Sequence, residues 1–306
     1  MLALTDDPVQ QLLTAHAYVG RTWGFEMEHL CAGRHYSHSR IRIGFVSGDL
    51  CTHAVGVLLP EFLEAIDKQD FELYAYDYSV EDGTALRARL KAVFNRFVSI
   101  KGMSDRQVAE LVLADEIDVL FDMHGLSSGA RPGIFKLRPA PIQMQWLGYI
   151  GTTAMPWIDY VVTDKVAMPP ALQTYFTEKP FYLEGSFLPL AFDAAPIECR
   201  FTRADCGLPQ DAFVMASWGN VYKLNPGLFK LWMSLLKEID HAVLWLVDDN
   251  PTTTGNILRW AQSQGVNPKR IVFHKRSVFS EYQQKLSLAD VFLDTFPYNC
   301  GSTARD

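Results

Sequence analysis

The sequence predicts an α/β fold with parallel, doubly wound sheets. Three observations carry this. Strand-like apolar runs alternate with helix-patterned runs from Ile41 onward. A second run of the same kind begins at Phe213, after a proline-punctuated interval. Between them, Leu137–Tyr160 reads LRPAPIQMQWLGYIGTTAMPWIDY and interrupts the rhythm. Pro139 and Pro141 supply no backbone donor, so this is neither a helix interior nor the middle of a central strand. Gln143 and Gln145 alternate with Ile142, Met144 and Trp146, which is strand periodicity. Gly148, Gly151, Thr152 and Thr153 then form a small-residue loop in which backbone can approach a ligand closely. Pro156 and Trp157 close it. A loop of this kind at a strand end is where an open α/β sheet builds its cleft. An ordinary crossover loop around a buried tryptophan is the alternative.

The 306 residues suggest two domains. A composition of 48% hydrophobic and 21% charged residues can build a sizeable core and argues against disorder. The net charge of −7 disfavours nucleic acid and anionic membrane as partners. An anionic small ligand would need local positive charge. There is no apolar run of about 18 residues, and the start carries Asp6 and Asp7. Neither a membrane span nor a signal peptide is expected. Five cysteines without a CxxC pair fit reduced, cytoplasmic thiols better than disulfides or a zinc site.

Residues 1–40 read as a helical leader and linker, helix-compatible over Val9–Met27 and holding four of the eight histidines, at 16, 29, 35 and 38. Residues 41–195 read as a first domain. Ile41–Ser47, Phe71–Tyr78, Phe97–Ile100, Ile117–Phe121, Ile142–Trp146 and Asp159–Val162 are expected strands. Val57–Ile66, Gly83–Asn95 and Asp105–Ala114 are expected helices, the last with Ser104 as N-cap and Gln107 at the capping-box position. Residues 165–212 lose the rhythm around Pro169, Pro170, Pro180, Pro189 and Pro196 and read as an interdomain connection. Residues 196–306 read as a second domain. Its expected strands are Phe213–Trp218, Val243–Val247, Ile271–Phe273 and Val291–Asp294. Its expected helices are Pro226–Ile239, Asn256–Gln264 and Ser280–Leu288. No helix is expected after the last strand, and the second domain reads as incomplete.

Three loops at strand ends could carry chemistry. His53 follows the first strand and could bind an oxygen or take a proton near neutral pH; a solvated surface histidine is the alternative. Trp218-Gly219-Asn220-Val221-Tyr222-Lys223 offers close approach, donors and a cation, which suits a pyrophosphate. A surface lysine at a helix start is the competing reading. Asn299–Asp306, with Gly301, Ser302 and Thr303, could present N–H groups and hydroxyls to phosphate, or be a plain helix cap. Asp122 and His124 sit together at a fourth strand end, as an acid/base pair or as a structural hydrogen bond. No metal-ligand cluster or Ser-His-Asp spacing is present.

Together these stretches resemble the catalytic region of the protein O-GlcNAc transferase family, glycosyltransferase family 41, of bacterial type. The strongest match is LRPAPIQMQWLGYIGTTAMPWIDYVVTD (Leu137–Asp164). RIGFVSGDLCTHAVGVL (Arg42–Leu58), DMHGLSSGAR (Asp122–Arg131), GNVYKLNP (Gly219–Pro226) and LADVFLDTFPYNCGSTARD (Leu288–Asp306) support it. The resemblance implies a GT-B fold, two Rossmann-like domains with the acceptor on the first and the UDP-sugar on the second. It implies inverting, metal-independent transfer of GlcNAc from UDP-GlcNAc to Ser or Thr of proteins, with no cofactor. UDP-glucose-dependent transfer to Asn is the variant within the family, and an inactive UDP-binding fragment is the non-enzymatic alternative.

By the same resemblance His53 and Lys223 are catalytic, His53 as candidate base and Lys223 on the diphosphate. Asn220, Tyr222, Tyr282, Ser302, Thr303 and Asp306 complete the UDP-sugar site, Asp306 on the ribose. His124, Gly151, Thr152 and Thr153 line the sugar and acceptor cleft. Asn220 stands where Gln is usual, Ile150 where Pro is usual and Gly301 where His is usual. Tyr282 stands near where the family often has a histidine packed on the uracil, and an aromatic ring can still stack there. Family members continue past Asp306, so the chain is expected to be truncated within its catalytic region. The leader has no recognisable tetratricopeptide array and is expected to be a remnant of one.

Overall fold

The computed structural model describes residues 2–189 and 198–306. The chain divides into two compact units, residues 7–192 and residues 193–306 with 1–6. The expected boundary at 195/196, and Pro196, lie outside the described residues.

The first unit is built on β1 (Ile41–Ser47), β2 (Phe71–Asp77), β3 (Arg96–Ser99), β4 (Val119–Asp122), β5 (Ile142–Gln145), β6 (Tyr160–Asp164) and β7 (Lys179–Leu183). They pair in parallel in the order β3-β2-β1-β4-β5-β6-β7. The order reverses between β1 and β4, which makes that pair the switch point of the sheet. Helices cover both faces, as a parallel sheet requires. On one face α2 (Ala54–Leu58), α3 (Pro60–Ala65) and α4 (Ala85–Val93) bury Leu58, Leu63, Leu90 and Val93 against Phe45, Leu73 and Ala75. On the other, α1 (Pro8–Thr22), α5 (Asp105–Ala114) and α6 (Pro132–Lys136) bury Val19, Val108, Val112 and Phe135 against Val46, Tyr76 and Leu120.

Several expectations are corrected here. Most of the 1–40 leader is part of the first unit. Asp7 caps α1, Val19 is fully buried, and the N–H groups of Leu30 and Cys31 donate to Leu137 and Arg138 carbonyls. The helix expected over Val57–Ile66 is two short helices, because Pro60 has no N–H to continue the first and sits at the N-terminus of the second. The 165–212 interval hides β7, with Pro180 inside it; a proline is tolerated there because β7 is an edge strand. Gln143 and Gln145 lie in β5, as the strand periodicity predicts, and both are fully buried; Gln143 Nε2 donates to the carbonyls of Phe135 and Trp157. The capping box of α5 is present as expected.

The second unit carries β8 (Phe213–Ser217), β9 (Ala242–Asp248), β10 (Ile271–Lys275) and β11 (Val291–Phe292), parallel, in the order β10-β9-β8-β11. Its switch point lies between β8 and β11. On one face α7 (Pro226–Glu238) and α8 (Pro251–Ser263) bury Phe229, Trp232, Leu236 and Ile257 on Met215, Leu244 and Leu246. On the other, α9 (Phe279–Leu286) packs Tyr282 and Leu286 on Val214, Trp218, Val243 and Trp245. α8 starts before the expected Asn256, because Asn250 caps it and Pro251 opens it. A helix does follow the last strand: α10 (Ser302–Arg305) opens after Gly301, whose φ of 58° suits glycine. Among the described residues no helix is long and apolar enough to cross a membrane.

Candidate functional site

Several candidate residues lie in the loops at the switch point of each unit. In the first unit, the loop after β1 carries Gly48, Asp49 and His53, and the loop after β4 carries His124. Asp122 ends β4 and is 2% exposed; its Oδ1 accepts from the N–H groups of His124 (2.9 Å) and Gly125 (3.1 Å). Its Oδ2 is buried with no hydrogen-bond partner among the described residues. Burial pushes the Asp122 carboxyl up to about 6. His124 is buried. Its Nε2 accepts from Gly48 N–H at 2.9 Å, so Nδ1 carries the proton and faces Ser127 Oγ at 3.1 Å. Burial lowers its pKa, and the ring is read as neutral.

His53 caps α2 and is half exposed. Two groups compete at its Nδ1: Val55 N–H donates to it at 3.3 Å, and Asp49 Oδ2 lies 3.4 Å away. The first holds the proton on Nε2. The second draws it to Nδ1 and leaves Nε2 able to accept a proton. Asp49 Oδ2 also lies 3.6 Å from His124 Nε2, so this carboxylate stands between the two imidazoles.

In the second unit, the loop after β8 places Lys223 against the loop after β11. Lys223 is 7% exposed; its Nζ donates to Asn299 O at 2.7 Å and lies 4.2 Å from the centre of the Tyr298 ring. Burial lowers its pKa, opposed by Cys300 and Asp294. Burial acts to raise the Asp294 carboxyl, yet donors from Cys300 N–H, Thr295 N–H and Asn299 hold it below the usual range. Gly219 lies where any Cβ would meet Cys300 Sγ at 2.6 Å, so the two loops touch only because it is glycine. Trp218 stacks on His274 at 4.1 Å, and burial takes that imidazole down to about 4. Among the described residues no group of three or more His, Cys, Asp or Glu side chains is placed to hold a metal ion.

The glycosyl transferase family 41 model matches residues 26–190 and 195–306. The chain belongs to this family. A probable UDP-N-acetylglucosamine–peptide N-acetylglucosaminyltransferase of Arabidopsis thaliana, SEC, is 31% identical over 87% of the chain. The chain spans 28% of that relative. A Thermobaculum terrenum O-GlcNAc transferase mutant superposes with a TM-score of 0.86 at 29% identity, over 99% of this chain and 58% of that one. Anabaena HepE, solved with UDP and glucose, shares the fold at 12% identity and a TM-score of 0.50, over 85% of this chain and 76% of that one. The α/β, GT-B class expected from the sequence is the one found, with a small second sheet.

Within this family, the candidate residues group as follows. His53 and His124 flank Asp49 at the first switch point, and Lys223 meets the 294–303 loop at the second. Asn220 Oδ1 accepts from Arg276 at 3.1 Å, which leaves its Nδ2 to donate. Tyr222 is largely exposed, and its ring lies 6.3 Å from that of Tyr298. The Tyr282 ring packs against Phe279, stacked at 5.8 Å, and against Trp218, tilted at 5.4 Å. Thr303 and Asp306 border an open groove of about 340 Å³ with Leu286, Ala289 and Phe292. Burial raises the Asp306 carboxyl, with Arg305 and Tyr282 opposing. Ser302 opens α10 beside them.

Thr152 and Thr153 are both buried and bonded to the Glu178 carboxylate, and Gly151 is buried with them. Sequence reasoning missed Asp49, Arg276 and Glu178. Asp49 and Arg276 each lie just past the end of a strand, beside a candidate residue, and that placement was the available signal. Glu178 had none, because its loop partners Thr152 and Thr153 are 26 and 25 residues away.

Proposed function

We propose that the chain is a catalytic region that transfers GlcNAc from UDP-GlcNAc to Ser or Thr hydroxyls of proteins, with inversion and without a metal. The activities for which the relatives are named support the donor and acceptor. The observation that carries the reading is Lys223, a buried ammonium at the switch point of the second sheet, packed on a loop followed by Ser302 and Thr303.

As the glycosidic bond to the diphosphate breaks, charge builds on the departing UDP. A buried lysine is pre-set to meet it, and exchanging the Asn299 carbonyl for a phosphate oxygen is favourable. In the first unit, His53 takes the acceptor hydroxyl's proton at Nε2 while Asp49 stabilises the proton on Nδ1. Neutral His124 holds the 48–49 backbone beside it.

Calorimetric titration of UDP into the 306-residue chain and its Lys223→Ala variant tests this. Loss of a charge-assisted bond should weaken binding by roughly 1.5–3 kcal/mol, about ten- to over a hundredfold. Equal affinity in the two proteins, or no binding of millimolar UDP to the unsubstituted chain, overturns the reading. Radiolabelled transfer from UDP-GlcNAc against UDP-glucose then separates the donors.

A further inference from the structure

We propose that Glu178 is a positioning residue for the acceptor-side loop, a clamp that sets where residues 147–154 and, through them, His124 stand. The proposal rests on the glycosyltransferase reading above.

Glu178 is 2% exposed. Its Oε1 accepts from Thr153 N–H at 2.7 Å and from the Thr153 hydroxyl. Its Oε2 accepts from the hydroxyls of Thr152 at 2.7 Å and Thr177 at 3.2 Å. A buried carboxylate is costly to keep, and an apolar side chain of similar size would fill the same space more cheaply. What an apolar side chain would not do is hold the loop. The loop needs holding, because Leu147 (φ 75°) and Ala154 (φ 53°) are both left-handed and neither is glycine. Such backbone persists only where its surroundings over-determine it.

The loop also bears on the first switch point. A Cβ on Gly148 would lie 1.9 Å from Met123 O, and one on Gly125 would lie 2.9 Å from Tyr149 Cβ. Gln145 Nε2 donates to Tyr149 O from the end of β5. Backbone 147–149 is therefore in contact with backbone 123–125, which carries His124. Releasing Glu178 loosens the far end of this loop, and the displacement reaches the imidazole that Gly48 leans on.

The test compares Glu178→Ala, Glu178→Gln and the unsubstituted chain in three readouts: hydrogen exchange of the 147–155 peptide, kcat and KM for transfer, and UDP affinity. Glu178→Ala should speed exchange in that peptide and lower kcat by about ten- to a hundredfold, the scale of an ångström-level misplacement. UDP affinity should not change. Glu178→Gln keeps an acceptor for Thr153 N–H and should recover most of both losses. Unchanged exchange, faster exchange with unchanged kcat, or loss of UDP affinity overturns the proposal. If Glu178→Ala does not fold, the double variant Thr152→Val, Thr153→Val decides on the same readouts. If the unsubstituted chain transfers no sugar, the glycosyltransferase reading fails, and exchange alone upholds or overturns the clamp.

Discussion

Replacing Asp122 with Asn should remove a pH-dependent cost that the first unit carries at neutrality. In the Asp122→Asn variant the amide oxygen would still accept from the N–H groups of His124 and Gly125, so the loop geometry is kept. What changes is the buried, unpartnered Oδ2. Burial raises this carboxyl from an ordinary 3.8 to about 6 in the folded chain. The folded state therefore binds the proton more tightly than the unfolded state. Its stabilising contribution is fully present below pH 3.8 and is lost as pH rises through about 6. The interval between the two values corresponds to about 3 kcal/mol. A new buried amide adds a constant offset of about 1–3 kcal/mol if it stays unpaired, but no slope. Only the slope reports the charge. The assay is urea unfolding at steps between about pH 3.5 and 7.5, followed by exchange of β4 amides so that the first unit is read separately. The difference curve, variant minus unsubstituted chain, should rise by about 3 kcal/mol across that window and be flat above it. A difference curve flat to within about 0.5 kcal/mol, inside the usual extrapolation error, would refute the reasoning.

Two further outcomes follow from single contacts. Gly219→Ala should destabilise the second unit by about 1–3 kcal/mol through overpacking on Cys300 Sγ, and Cys300→Ala should recover much of it in a double-mutant cycle. Additive losses would mean the two loops do not meet there. Asp49→Asn removes the carboxylate that draws the His53 proton to Nδ1; kcat should fall by about tenfold or more, with UDP affinity unchanged. Unchanged kcat would remove His53 from the base role.

Much of the fold was legible because its signals are local. The capping box at Ser104 and Gln107, the apolar runs of β1 and β9, and the Asn225-Pro226 start of α7 are written in a few adjacent residues. Misreadings arose where a local rule met a non-local exception. Pro180 reads as a strand breaker, yet β7 is an edge. Thr152 and Thr153 read as lining the cleft, and nothing local announces the carboxylate far along the chain that holds them.

The alternation of strands and helices, and the clustering of His53, Asp122, Lys223 and Ser302 at strand ends, follow from the sequence alone. Which strand ends become neighbours does not. Periodicity states that β1 and β4 are strands but not that they pair, because pairing depends on hydrogen bonds between residues far apart in the chain, such as Val46 and Asp122. Only that pairing makes β1/β4 and β8/β11 the switch points, sets Asp49 between two imidazoles and puts Lys223 on the Asn299 carbonyl. The chemistry was in the residues; the long-range pairing that buries and orients them was decided by the tertiary structure.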